Sequence, residues 1–258
     1  MSSSIDVSLG EVAAALVLVA IAIAASRWRR AGLEEDIAVA VARSFVQLTA
    51  IGYVIDVIFE EDSAALVVAL LAVMVVFGAM TARRRAERVP GAFVPLLTAL
   101  SIAAVTTLGL VLGLGIIEGE PRFVVPVGGM VIGNAMTAAA VALNRLGEDV
   151  SDKAREIEAT LALGATSTQA VTPLVQRSLR SGMITLVDST KTTGLIFFPG
   201  TMVGMLLAGA DPIDAVRLQL ILLYALLGSV SIAALIATTL ARRNFFTPAH
   251  QLREPPQP

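Results

Sequence analysis

The stretch Ala64-Ala-Leu-Val-Val-Ala-Leu-Leu-Ala-Val-Met-Val-Val-Phe-Gly-Ala-Met-Thr-Ala82, followed at once by Arg83-Arg84-Arg85, decides the class of fold. It holds no charged residue. Wound as a helix it is about 28 Å long at ~1.5 Å per residue, close to the ~30 Å of hydrocarbon in a bilayer. A helix covering a soluble core would show a polar residue on every turn, and this one does not. Similar runs recur along the chain, and seven spans are expected: Leu9–Ala25, Ile37–Phe59, Ala64–Ala82, Phe93–Ile117, Phe123–Leu143, Thr192–Ala208 and Ala215–Ala241. Lipid offers no partner to a backbone N–H or C=O, so each span is expected to be helical. Barrel strands alternate inward and outward over about ten residues, which these runs do not. The expectation is an all-α integral membrane protein with about seven transmembrane helices, forming one permease-like domain over residues 1–258.

Composition agrees. Of 258 residues 56% are hydrophobic and 16% charged, against about 45–50% and about 25% in soluble domains. The chain has no cysteine, which excludes disulfides, thiolate metal sites and cysteine catalysis. A formal net charge of −2 without a basic-aromatic patch gives no sign of nucleic acid. No Gly-x-x-x-x-Gly-Lys-[Ser/Thr] motif occurs, so a P-loop is lacking. Met1 to Gly10 holds no Lys or Arg, so the first run is read as a retained helix rather than a signal peptide.

Lys and Arg set the orientation. Arg27, Arg29 and Arg30 follow the first span, and Arg83, Arg84, Arg85 and Arg88 the third. The fifth connection has Arg145, Lys153, Arg155, Arg177, Arg180 and Lys191; the tail, residues 242–258, has Arg242, Arg243 and Arg253. The alternate connections carry Glu60, Glu61, Asp62, Glu118, Glu120, Asp211 and Asp214, with Arg122 and, just inside the last span, Arg217. This alternation predicts an outside N-terminus and a cytoplasmic C-terminus, in a multi-pass protein of the plasma membrane.

The connection from Asn144 to Lys191 is far longer than the common loop of about 4–6 residues. Its first half, Ser151 to Gly164, reads as a helix. Ser151 caps it, Asp152 meets the positive dipole end, and Gly164 takes the C′ position. Ile157 and Leu161 make an apolar face, with Lys153, Arg155 and Glu156 mostly away from it. That face needs a membrane surface or another protein to cover it.

Here the sequence resembles an ABC-transporter permease. Glu158-Ala159-Thr160-Leu161-Ala162-Leu163-Gly164-Ala165 is similar to the coupling helix that such permeases insert into a cleft of their ATP-binding subunit. Arg43-Ser-Phe-Val-Gln47-Leu, Gly129-Met-Val-Ile-Gly133-Asn134 and Gly194-Leu-Ile-Phe-Phe-Pro199-Gly200-Thr-Met202-Val-Gly204-Met205 resemble the FetB-type permeases, as do Ala215-Val-Arg-Leu-Gln219 and Phe245-Phe246-Thr247-Pro248-Ala-His250-Gln251-Leu252. The matches run in order from residue 43 to residue 252. The resemblance implies a permease subunit with no catalytic residues and no cofactor of its own. It would work as a homodimer with a cytoplasmic ATP-binding subunit that holds ATP and Mg. Glu158, Ala159, Leu161, Leu163 and Gly164 would contact that subunit. Bacterial members are described as iron exporters, and similar plant proteins are linked to nucleotide-sugar transport and aluminium tolerance. A metal ion and a nucleotide sugar therefore both stand as substrate classes.

Several residues invite a role in the pathway or its gating. Arg43 and Gln47 share a face of the second span; a charge there costs about 2.5–3.5 kcal/mol unless it lines a cavity or snorkels to the interface. Asn134 lies near the middle of the fifth span with Met130, lining a pathway or bonding across a helix interface, beside a Gly129-x-x-x-Gly133 packing pair. Pro199-Gly200 predicts a kink in the sixth span, followed by a Gly200, Gly204, Ala208 stripe. Met130, Met136, Met202 and Met205 offer thioethers suited to soft ions, or merely fill gaps. Glu11 and Asp56 stand near outer ends, the one histidine, His250, is in the tail, and no carboxylate pair is expected deep in a span. A secondary transporter or channel would call for inverted repeats or a deep carboxylate, and a non-transporting scaffold would use the same loop to recruit a partner.

Overall fold

The computed structural model describes residues 9–61 and 63–253. Asp62, the segment before Leu9 and the tail beyond Arg253, all used in the readings above, lie outside the described residues. Among the described residues the chain is helical, with two isolated β-bridges and no strand. It divides into two compact units, residues 1–63 and 64–258.

The first unit is a helical hairpin of α1 (Leu9–Arg29) and α2 (Glu34–Glu61). Its turn is closed by Ser26, whose hydroxyl accepts from the Leu33 N–H and donates to Glu34, both at 3.1 Å. Gly32 has φ +70°, a conformation glycine takes without strain.

The second unit packs α3 (Ala64–Arg85), α4 (Phe93–Gly113), α5 (Pro121–Asp152) and α9 (Pro212–Ala241) around a core of small residues. Ala79, Ala82, Ala99, Ala103, Ala139, Ala142, Ala233 and Ala237 are all fully buried. Small side chains let helix backbones approach closely, and dispersion contacts then hold helices that lipid would solvate equally well. Gly78 lies against Leu100, Ile132 and Met136, while Gly147 meets Arg88 and Val89, so α3 and α5 run in the same direction. Along α9, Leu222 shares a cluster with Val127 near the start of α5, and the buried Ser229 hydroxyl donates to the Val131 carbonyl at 3.1 Å. Ala237 and Phe245 join Leu143 and Leu146 in the core further along. Thus α5 and α9 are parallel.

Parallel helices require the chain between them to return along the whole length of α5. It does so in pieces. α6 (Ala154–Ala162) turns off the end of α5, and α7 (Ser167–Thr192) runs back from a Thr166–Gln169 capping box. Residues 193–199 are non-helical, and α8 (Gly200–Leu207) completes the return. α7 carries Gly182 against Ala138 and Ala142, and α8 carries Thr201 to Met130, with its hydroxyl 3.8 Å from the sulfur.

Six helices are long and apolar enough to cross a membrane: Gly10–Arg29, Glu34–Glu61, Ala64–Arg85, Phe93–Gly113, Pro121–Asp152 and Pro212–Phe245. These match six of the seven expected spans. The seventh, Thr192–Ala208, is not a continuous helix: α7 ends where it was to begin, and α8 supplies only eight residues. Ser151 does not cap the next helix either. It sits inside α5 and donates to the Gly147 carbonyl, while α6 starts at Ala154. Gly164 does take the C′ position, with φ +93° and the Ala165 N–H on the Thr160 carbonyl.

Charge segregates between the ends of this unit. Arg88 packs beside Gly147, and Asn244 donates to the Pro90 carbonyl at 2.8 Å, which gathers residues 83–88, 145–155 and 242–253 at one end. At the other end Arg122 pairs with Glu120, and Arg217 with Asp214 at 3.2 Å.

A Cβ on Gly182 would lie 2.5 Å from the Ala138 carbonyl oxygen, which is backbone and cannot yield; one on Gly109 would meet nothing within 4 Å. Gly182→Ala is therefore expected to destabilise the protein by about 1–3 kcal/mol. Gly109→Ala is expected to be neutral or to stabilise by up to ~1 kcal/mol. Thermal unfolding in lipid nanodiscs reads the opposite signs.

Candidate functional site

Between Arg122 and Arg145 helix α5 has no charged residue. That stretch is about 33 Å long, the thickness of the hydrocarbon layer, and its midpoint falls at Gly133–Asn134. On this turn the α5 surface is open. Asn134 is half-buried, Thr137 is exposed, and nothing lies within 4 Å of where a Gly133 Cβ would sit. The Asn134 amide donates to the Met130 carbonyl at 2.9 Å and the Thr137 hydroxyl to Gly133 at 3.0 Å. Asn134 therefore bonds within its own helix and not across an interface. The Gly129–Gly133 pair is likewise split: a Cβ on Gly129 would lie 3.1 Å from the Met74 methyl, while one on Gly133 would face open space. Close helix contact is provided instead by Gly128, against Leu71, and by Gly182.

The returning segment brings a second polar strip to this level. Asp188 lies six residues beyond Gly182, about 9 Å along α7, which puts it level with Asn134. Its carboxylate pairs with the Lys191 ammonium at 2.8 Å, and both side chains are exposed. From Asp188 to Thr193 every residue is polar, and the hydroxyls of Thr190, Thr192 and Thr193 donate to carbonyls of the same turn. The helix then opens. Gly194, at φ +82°, donates to the Phe197 carbonyl, Pro199 occupies the N-cap of α8, and Gly200 its first turn. Pro199-Gly200 thus ends a seven-residue break rather than making a kink. Met202 and Met205 are half-buried on α8, whereas a Cβ added on Gly200 or Gly204 would meet nothing within 4 Å.

At the basic end, α6 is anchored through its own chain. Ile157 is buried with Leu146, Val150, Val171 and Leu174, and Leu161 packs on that cluster. The cover expected for this face from a membrane or a partner is thus supplied mainly by α5 and α7. What remains outward is Glu158, Ala159, Ala162 and Leu163, the last 89% exposed, with Gly164 just beyond. Glu158 and Leu161 also line a groove of about 400 Å³ with His250, Gln251 and Leu252 of the tail. His250 Nδ1 is 2.9 Å from the Ser167 hydroxyl, which holds the tail on the start of α7.

A family model described as Uncharacterised protein family (UPF0014) matches residues 9–246. The chain belongs to family UPF0014. It is 40% identical to the "UPF0014 membrane protein STAR2" of Oryza sativa subsp. japonica, over 93% of this chain and 85% of that one. It is 36% identical to the "Probable iron export permease protein FetB" of Escherichia coli (strain K12), over 97% and 96% of the two chains. To "Protein ALUMINUM SENSITIVE 3" of Arabidopsis thaliana it is 37% identical, over 93% and 88%. No solved structure matches.

In this UPF0014 chain, Met130 and Asn134 on α5 and Met202 and Met205 on α8 come to adjoining elements of the second unit. Met130 and Met136 each also pack on a hydrophobic core cluster. Arg43 and Gln47 are exposed on α2 of the first unit, with Arg43 nine residues, about 13 Å, beyond Glu34. Asp188, a lone and exposed carboxylate level with Asn134, is not among the residues that the sequence singles out. Lys191, counted with the basic end, belongs to the middle level. The signal was present as an unbroken polar hexad next to an apolar run; it was read as the end of a connection because α7 is too polar to register as a span. Among the described residues no group of three His, Asp or Glu side chains forms a metal-ligand cluster.

Because the chain lacks cysteine, the open strip is directly testable. Thr137→Cys and Lys191→Cys are expected to react with a water-soluble methanethiosulfonate in lipid, while Val105→Cys, on the exposed apolar face of α4, stays unlabelled. Equal protection of all three would mean that the strip sees lipid rather than water.

Proposed function

We propose that this UPF0014 protein is the membrane-spanning subunit of an ATP-driven ABC transporter that exports a metal ion. Its energy source would be a separate ATP-binding chain with its own ATP and Mg. The observation that carries the reading is α6. An exposed Leu163 and Glu158 stand on a short helix rigidly anchored by Ile157, at the end of the molecule where the basic residues gather. A helix held in this way transmits force from a docked partner straight into α5 and α7. The similarity to a protein named an iron export permease supports the substrate class.

The six long helices and the broken α7–α8 return together make seven crossings, with the N-terminus outside and α6 in the cytoplasm, as positive residues favour. Two copies would form the working unit, each docking one ATP-binding subunit, and α7 and α8 would shift as those subunits close. Outward movement of a divalent cation against ~100 mV costs roughly 4.6 kcal/mol, which a passive pore cannot supply. A nucleotide-sugar permease has the same architecture, and a scaffold would use α6 without transport; substrate-stimulated hydrolysis separates the three.

The test is ATP hydrolysis by the genomic-neighbour ATPase reconstituted with this protein in lipid, with Fe²⁺, other metals and nucleotide sugars added in turn. Iron is expected to stimulate. Leu163→Glu combined with Glu158→Lys is expected to cut stimulated hydrolysis about tenfold or more, the ~1.4 kcal/mol scale of one lost interface anchor. Both side chains are exposed, so thermal stability should hold, whereas Ile157→Ala should cost about 2–4 kcal/mol of stability. An ATPase that binds but answers only to nucleotide sugars overturns the metal assignment. One that never binds overturns the transporter reading.

A further inference from the structure

We propose that Asp188 is the cation-binding carboxylate of the translocation route, and that Lys191 is a tethered ammonium occupying it while no cation is bound. The inference deepens the permease reading above and rests on it. Its basis is the position of an open ion pair. Asp188 and Lys191 lie level with the centre of the charge-free stretch of α5, yet both are exposed and meet at 2.8 Å. Each charge at such a depth costs about 2.5–3.5 kcal/mol on insertion scales. An i,i+3 pair on an open helix face returns only about 0.2–0.5 kcal/mol. The pair therefore does not stabilise the fold enough to account for its presence, and intramembrane charges of this kind belong to substrate pathways.

The surroundings suit a cation better than an anion. α7 ends at Thr192, so the negative end of its dipole points into the same level. Residues 193–199 are unwound, and among the described residues the carbonyls of Gly194, Leu195 and Ile196 accept no hydrogen bond. Half-helix ends and unwound carbonyls at mid-membrane are the elements with which transporters hold cations. Asn134 stands at this level with its amide N–H on the Met130 carbonyl, and the Met130 sulfur is taken by the Thr201 hydroxyl. One carboxylate with free backbone carbonyls matches a divalent first-row cation such as Fe²⁺ or Mn²⁺ better than Cu(I).

Exchange follows from charge. In the empty state Lys191 neutralises Asp188, so the open face carries no net charge across the hydrocarbon. A divalent ion brings twice the charge of the ammonium and displaces it, and Lys191 can swing on its four-carbon stem away from the carboxylate. After release the ammonium returns to the carboxylate, and the direction of transport is set by the ATP-driven change of state.

The test is equilibrium binding of radiolabelled Fe²⁺ to the full chain in nanodiscs, without oxygen and without the ATPase. Wild-type protein is expected to bind Fe²⁺, and Asp188→Asn to weaken binding at least about tenfold. Asp188→Glu should keep binding near the wild-type level, which separates a lost ligand from a lost fold. Lys191→Met should tighten binding about twofold, because the competing ammonium is gone. Unchanged Fe²⁺ affinity in Asp188→Asn, or weaker binding in Lys191→Met, overturns the proposal. Binding of UDP-glucose that depends on Lys191, with none of Fe²⁺, also overturns it and makes Lys191 a phosphate contact. The ATPase is absent, so a negative result leaves the α6 coupling assay standing, and failure of that assay leaves this one readable.

Discussion

The Ser229 hydroxyl on the Val131 carbonyl holds α9 beside α5 with both helices pointing the same way, and the rest of the second unit follows from that direction. Two parallel helices cannot be joined by a turn. The chain between Asp152 and Pro212 must travel back along α5, and where it meets hydrocarbon its backbone groups need partners within the protein. Helix satisfies them through α7. The break at residues 193–199 is tolerated because threonine hydroxyls and the Gly194–Phe197 bond take up part of the load, leaving a few carbonyls to the open strip.

Packing explains why that return can be so polar. Alanine and glycine line the contacts among α3, α4, α5 and α9, and Gly182 lets α7 approach until its backbone meets that of α5. One face of α7 is thereby held by protein, with Val171, Leu174, Ser178 and Gly182 buried. The remaining faces are free of the demand to be apolar throughout, so Arg177, Arg180, Asp188 and Lys191 are accommodated. A helix that had to face lipid all round could not carry them. The same contacts connect the two ends mechanically: α6 leans on α5 and α7 through Ile157, and α7 leads without interruption to the polar level.

Much of the fold was legible. Six spans appear as apolar runs of the right length, three of them free of charge and the others with one or two charged residues, and the clusters of Arg at their ends give their relative directions. Gly164 announced the end of α6, because only a residue comfortable at positive φ closes that turn. The candidate site was legible in part. Met130, Asn134 and the Pro199-Gly200 break were singled out by polarity or by breaker residues inside apolar runs. Asp188 and Lys191 were not, because hydropathy averages over a helix and α7 is apolar only along the side that meets α5.

The sequence by itself determined that the chain crosses a membrane, where six helices run and which ends collect positive charge, since each depends on local composition over about twenty residues. Tertiary structure alone decided that α5 and α9 are parallel, that Gly182 rather than the Gly129–Gly133 pair makes the close contact, and that an Asp188–Lys191 pair stands level with Asn134. Those facts depend on which faces of distant segments meet. Hydrophobicity cannot encode such pairings inside a bilayer, where every helix is equally well solvated by lipid and only the fit of one surface to another selects the neighbour.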